Sequence, residues 1–180
     1  MKRALLLTLG ILAMASLSMA QPFAGLYTDN PGFSDCNLED VGPPGLCPVY
    51  LILGGTSGIS SSMMVDASNS GGLVSTGVTV HTLLAIGDVF TGIDFSYGAC
   101  LSPPVLLATL NYFCQGTTAA CSSLNVAPHP QTGRIVAVTC APLAVDAAPM
   151  HLTINGDASC PCGVPVEESS WGQIKALYTD

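Results

Sequence analysis

The chain has 180 residues, with four Lys+Arg against twelve Asp+Glu and a formal charge of −8 at neutral pH. Eight residues are Cys, thirteen Pro and nineteen Gly, and only 9% are charged. So acidic a chain repels phosphate backbones and anionic lipid, which argues against nucleic acid as a partner, and so much Pro and Gly fits helices poorly.

The first twenty residues read as a signal peptide. Met1-Lys2-Arg3 is positive and Ala4 to Leu17 is almost wholly apolar. Ser18-Met19-Ala20 then places small residues at the −3 and −1 positions, so cleavage leaves Gln21 first. The apolar run is shorter than the roughly 20 residues that span a bilayer, so no membrane span is expected after cleavage. The first cysteine is Cys36, which argues against a lipoprotein anchor. Lys2 and Arg3 leave with the signal. Arg134 and Lys175 then face twelve acids, a formal charge of −10.

Gln21 to Leu46 is punctuated by Asn30-Pro31-Gly32 and Gly42-Pro43-Pro44-Gly45 and reads as mostly irregular. Short runs rich in Val, Ile, Leu, Thr and aromatics follow: 49–53, 62–65, 78–85, 92–97, 105–113, 124–127, 134–140 and 151–154. The clearest is 92–97, where Ile93, Phe95 and Tyr97 alternate with Asp94 and Ser96. Many short strands divided by turns, with no long 3.6-residue period before residue 168, indicate an all-β fold. The expected form is an immunoglobulin-like two-sheet antiparallel sandwich over 21–165, stapled by disulfides.

An even number of cysteines in an exported chain implies up to four bridges among Cys36, Cys47, Cys100, Cys114, Cys121, Cys140, Cys160 and Cys162. On the order of a hundred pairings are open. Cys160 and Cys162 flank Pro161 and would strain if joined to each other. Cys114–Cys121 and Cys36–Cys47 suggest themselves as local pairs, leaving Cys100 and Cys140 for Cys160 and Cys162 in either order. Each bridge contributes roughly 3 kcal/mol in the chain-entropy model.

Several motifs invite chemistry and are better explained without it. Leu53 to Ser60 superficially matches the glycine motif of short-chain dehydrogenases. A short β-like run follows it in place of a phosphate-facing helix, and no Tyr-x-x-x-Lys pair exists, so a glycine turn is the better reading. Cys160-Pro161-Cys162 lacks a nearby His and a Cys-x-x-Cys partner, which favours disulfides over metal. His81, His129 and His151 with Asp66, Asp88, Asp94 and Asp146 supply triad residue types, but no Gly-x-Ser-x-Gly elbow fixes them. Asp29, Asn30 and Asp35, and Asp66 with Asn69, offer hard oxygens for calcium without the spacing of a recognised site. Tyr27, Phe33 and Trp171 are the aromatics outside strand cores, a weak basis for a sugar platform. No catalytic residue, metal or cofactor is assigned.

In the tail, 166–180, Trp171, Ile174, Leu177 and Tyr178 recur at helical spacing behind Ser169 or Ser170 as caps, so a short amphipathic helix is expected. The run Val166-Glu167-Glu168-Ser169-Ser170-Trp171-Gly172-Gln173-Ile174-Lys175-Ala176-Leu177-Tyr178 resembles the closing tail of an uncharacterised group of exported Gram-negative bacterial proteins. The runs 91–100 and 155–166 are also similar to that group. The resemblance covers about a third of the chain and implies a bacterial secreted protein with a docking or sorting tail. Where such tails end in Arg after the Tyr, this one has Thr179-Asp180. The expected function is a non-catalytic structural or interaction module, secreted, periplasmic or on the cell surface, with a protein or surface partner. A glycan- or calcium-binding sandwich is the alternative and a secreted hydrolase the third reading.

Overall fold

The computed structural model describes residues 21–162. The expected signal peptide, and the tail with Trp171, Ile174, Leu177 and Tyr178, lie outside the described residues, as does the expected helix.

Two sheets face each other. The first has the order β12 (Ala148–Pro149), β1 (Phe23–Tyr27), β3 (Gly45–Gly54), β8 (Val105–Cys114), β5 (Val74–Val80). The second is built on β4 (Gly58–Asp66). Its first half pairs with β10 (Val136–Thr139) and β7 (Gly92–Leu101), and its last three residues pair with β9 (Ser122–Ala127). Beyond β10 lies β11 (Ala144–Asp146), and beyond β7 lies β6 (Leu84–Asp88). Beyond β9 lie β13 (His151–Ile154) and then β2 (Asn37–Leu38).

Alternation builds the core. In β7, Ile93, Phe95 and Tyr97 are buried while Asp94 is exposed. In β9, Leu124 and Val126 are buried and Ser123 and Asn125 less so. These faces meet Leu26, Val49, Leu51, Leu53, Leu107 and Leu110 of the first sheet in one cluster. A second, smaller cluster of Tyr27, Ile52 and Met150, with Phe23, Phe33 and Leu106 against it, holds loop 28–36 onto the first sheet.

Two expectations change, and a third gains detail. The run 78–85 is not one strand. It breaks at His81 to Leu83, because β5 and β6 are edge strands of opposite sheets and the chain crosses between them. The segment 21–46 is mostly irregular as expected, yet it also holds β1 and β2, which the sequence reading did not mark. Ala24 and Gly25 hide β1 from propensity, and its pairing with β3 from Phe23↔Gly54 to Tyr27↔Tyr50 creates it. The sandwich is not wholly antiparallel, because β1 pairs β12 and β13 pairs β2 in parallel.

The disulfides also differ from the expected local pairs. They are Cys36–Cys162, Cys47–Cys114, Cys100–Cys140 and Cys121–Cys160. Cys36 precedes β2 in the second sheet whereas Cys47 is in β3 of the first. Cys114 ends β8 in the first sheet, and Cys121 enters β9 in the second. Residues close in sequence are thus carried to different layers. Cys47 instead meets its ladder neighbour across β3 and β8, where Cys47 is opposite Tyr112 and Gly45 opposite Cys114. Cys100 and Cys140 meet because Leu101 of β7 and Thr139 of β10 both lie opposite Gly58 at the start of β4. Cys160 and Cys162 bind the segment after β13 to the flanks of β9 and β2, the two strands that sandwich β13.

Candidate functional site

The glycine-rich stretch 53–60 is the turn from β3 to β4. Gly55 there has φ +77° and lies against the Gln21 carbonyl, so only glycine fits. No helix follows, and the dinucleotide reading has no structural basis.

The three histidines are scattered. His81 Nε2 is 2.8 Å from Thr109 Oγ1 on the outer side of the first sheet. His129 is buried, its Nδ1 accepting the Gln131 N–H at 3.2 Å. His151 is half-buried on β13. Among the described residues the ion pair found is Arg134–Asp146, so no histidine meets a carboxylate and no triad assembles. One group of metal-ligand types does come together. Cys121, Asp157 and Cys160 converge, yet the two sulfurs are joined to each other and offer no thiolate.

The candidate calcium loops are closed by their own backbone. Asp29 Oδ1 accepts the Ser34 and Asp35 N–H groups at 2.8 Å, and Oδ2 accepts the Ser34 hydroxyl at 3.0 Å. Desolvation works to raise its pKa, and these bonds outweigh that and hold it below the usual carboxylate value. Asp66 Oδ1 accepts the Ser68 N–H at 2.9 Å, and the Ser68 bonds lower its pKa likewise. Both carboxylates act as turn locks. Asp40, not singled out from sequence, is the most enclosed carboxylate among the described residues. It accepts the Gly116 N–H at 2.8 Å and the Thr118 N–H at 2.9 Å, while its own N–H donates to Asn155 Oδ1 at 2.8 Å. Desolvation raises its pKa, but the Thr118, Gly116 and Gln115 bonds prevail and lower it to about 2. All these oxygens are engaged by donors, so Asp40 is an internal clamp. As for sugar platforms, Tyr27 is buried at 3% exposure and Phe33 is half-buried against it in an edge-to-face pair.

What the surface does present is apolar. On β6 the usual alternation is inverted: Ala85 and Gly87 pair with the inward Phe95 and Ile93, while Leu84 and Ile86 point outward. They are 53% and 63% exposed, and Leu83 beside them is 78% exposed. Register carries two rows across the outer face, Leu84–Ser96–Ser60–Val138 and Ile86–Asp94–Ser62–Val136. The face thus has small serines in the middle, with a shallow pocket over Ser60 and Ser96, a leucine–isoleucine rim along β6, and the exposed Asp94 carboxylate beside Ile86. Outward large apolar groups grouped in this way mark an interaction surface more often than chance exposure does. Alternation in Leu84-Ala85-Ile86-Gly87 marks the large residues as core, and only the pairing of β6 with β7 turns them outward.

No protein-family model and no curated protein sequence matches the chain. Solved structures resemble it in fold. One is the sixth cohesin of scaffoldin B from Acetivibrio cellulolyticus, in complex with a Cel5 dockerin, at 16% identity and TM-score 0.52, covering 76% of this chain and 99% of that one. Another is a type I cohesin–dockerin complex from Clostridium thermocellum at 5% identity and TM-score 0.52, with 76% and 99% covered. A third is the cohesin module of a family 33 glycoside hydrolase from Clostridium perfringens, at 10% identity and TM-score 0.50, with 77% and 99% covered. At such identities the likeness is one of fold: the chain is an all-β two-sheet sandwich similar to cohesin modules, with four disulfides.

Proposed function

We propose that this chain is an exported, non-catalytic protein-interaction module that docks a partner protein on the outer face of β6, β7 and β4. The observation that carries the reading is the outward row of Leu83, Leu84 and Ile86 beside the serines of β4 and β7. Covering side chains of this size is worth about 1–2 kcal/mol each, since they are only partly exposed to begin with. Asp94 and Asp88 at the rim, on a chain with few cations, fit a partner that places Lys or Arg beside apolar residues. The cohesin-like fold supports the reading, because two of the similar structures are complexes with dockerins. Four disulfides accord with a location outside the cytoplasm, and the sandwich is assigned to the immunoglobulin-like type. The tail 166–180 serves docking or sorting.

A photo-crosslinking residue at Leu84, introduced in the cells that export the protein, tests this, with Glu39 as the control position. The reading expects an adduct with one partner at Leu84 alone, whose affinity then falls at least tenfold in Leu84→Asp. Equal adducts at both positions, or an unchanged affinity, overturn it.

A further inference from the structure

We propose that Gln21, once it becomes the first residue of the exported chain, closes to a pyroglutamyl lactam, and that this cap protects the outermost rung of the first sheet. The inference rests on the export reading above, through cleavage after Ala20.

The step is self-contained. The α-amino nitrogen attacks the side-chain amide carbon, the new N–Cδ bond forms, and the Cδ–Nε2 bond breaks. The departing nitrogen leaves as ammonia, taking the proton lost by the amine. No oxidant or co-reactant is consumed, and the short tether between amine and amide gives the high effective concentration of an intramolecular reaction.

The structure supplies the setting. Gln21 is exposed, so its amide is free to turn onto the amine. From its carbonyl onward the chain is held: that carbonyl lies against Gly55, and the Pro22 carbonyl accepts the Ala148 N–H at 2.8 Å. Gln21 and Pro22 also form the rim of a mostly apolar cavity of about 730 Å³ that includes Leu143 and Val145. A free α-ammonium there stays in water and open to attack, whereas the lactam is neutral and compact. Trimming past Pro22 would remove the acceptor of Ala148 and open the parallel pairing of β1 with β12 at the sheet edge. An exported chain meets aminopeptidases, and these need a free α-amine.

The experiment is peptide mapping of the exported protein, followed by digestion with an aminopeptidase that accepts a penultimate proline. The expected N-terminal peptide begins at residue 21 with a mass lower than the glutaminyl form by about 17 Da, the mass of ammonia. It resists digestion until treated with pyroglutamyl peptidase, while the Gln21→Ala variant keeps a reactive amine and is trimmed. A peptide starting at Gln21 with its full mass and a reactive amine overturns the cap and leaves the export reading standing. Any other processed N-terminus overturns the cap alone, and an intact Met1 overturns both.

Discussion

Replacing Asp40 by Asn tests how far buried polar bonds hold this sandwich together. Asp40 is 2% exposed and joins three segments: its own loop, 116–118 after β8, and Asn155 after β13. Asn155 Nδ2 closes the network by donating to the Thr118 carbonyl at 2.9 Å. In Asp40→Asn one acceptor becomes an NH₂ that faces either the Gly116 or the Thr118 N–H. Hydrogen bonds to a charged group contribute about 1.5–3 kcal/mol, and a buried donor left alone costs about as much. Gly116 is exposed and recovers water, whereas Thr118 is buried. The amide therefore turns its NH₂ to Gly116 and keeps a neutral bond to Thr118, so the net loss should be about 1–2 kcal/mol. Acid provides a second check. The folded carboxyl titrates near 2, below its usual value of 3.8. Its contribution is therefore complete above the unfolded value and is lost as pH falls through the folded one. Denaturant unfolding of wild type and variant, with disulfides intact, should show a gap that is constant from pH 7 to about 5 and closes toward pH 2. A variant within 0.5 kcal/mol of wild type at pH 7, or a gap that persists at pH 2, would refute the reasoning.

Removing the cross-strand bridge with Cys47→Ser and Cys114→Ser frees a loop of 67 residues. It should cost about 4 kcal/mol by chain entropy, read from the denaturant midpoint. A disulfide map by mass spectrometry should return the four long-range pairs and no Cys36–Cys47 or Cys114–Cys121 peptide. Burial pushes the Tyr97 phenol up to about 12, with the Ser61 hydroxyl pulling it slightly back. Its stabilising effect is present below the unfolded value of 10 and lost as pH rises toward 12, so an ultraviolet titration should leave Tyr97 protonated in folded protein at pH 11. Tyr112, raised further by burial alone, should behave the same way. Deleting 166–180 should change where the protein is delivered while leaving its unfolding transition in place. Loss of folding on deletion would mean that the tail belongs to the domain.

The long strands were legible because periodicity needs no partner to be read. Ile93, Phe95 and Tyr97 in β7, and the apolar run of β8, announce themselves by spacing or by length. β1 escaped because Ala-Gly-Leu carries little strand preference until β3 lies beside it. The candidate surface escaped for a related reason. Leu84 and Ile86 count as core residues in any one-dimensional reading, and only the orientation of β6 against β7 turns them outward.

By itself the sequence determined the class: strands by alternation, a Pro- and Gly-rich composition that disfavours long helices, and an even number of cysteines. Those properties depend on residue type and near neighbours. Tertiary structure alone decided which cysteines pair, where Asp40 finds its donors, and which apolar residues face water. Each of those depends on which sheet a residue has been carried into. Two residues a few places apart along the chain can end in opposite layers, as Cys114 and Cys121 do, while Cys36 and Cys162, separated by 126 positions, meet at one edge.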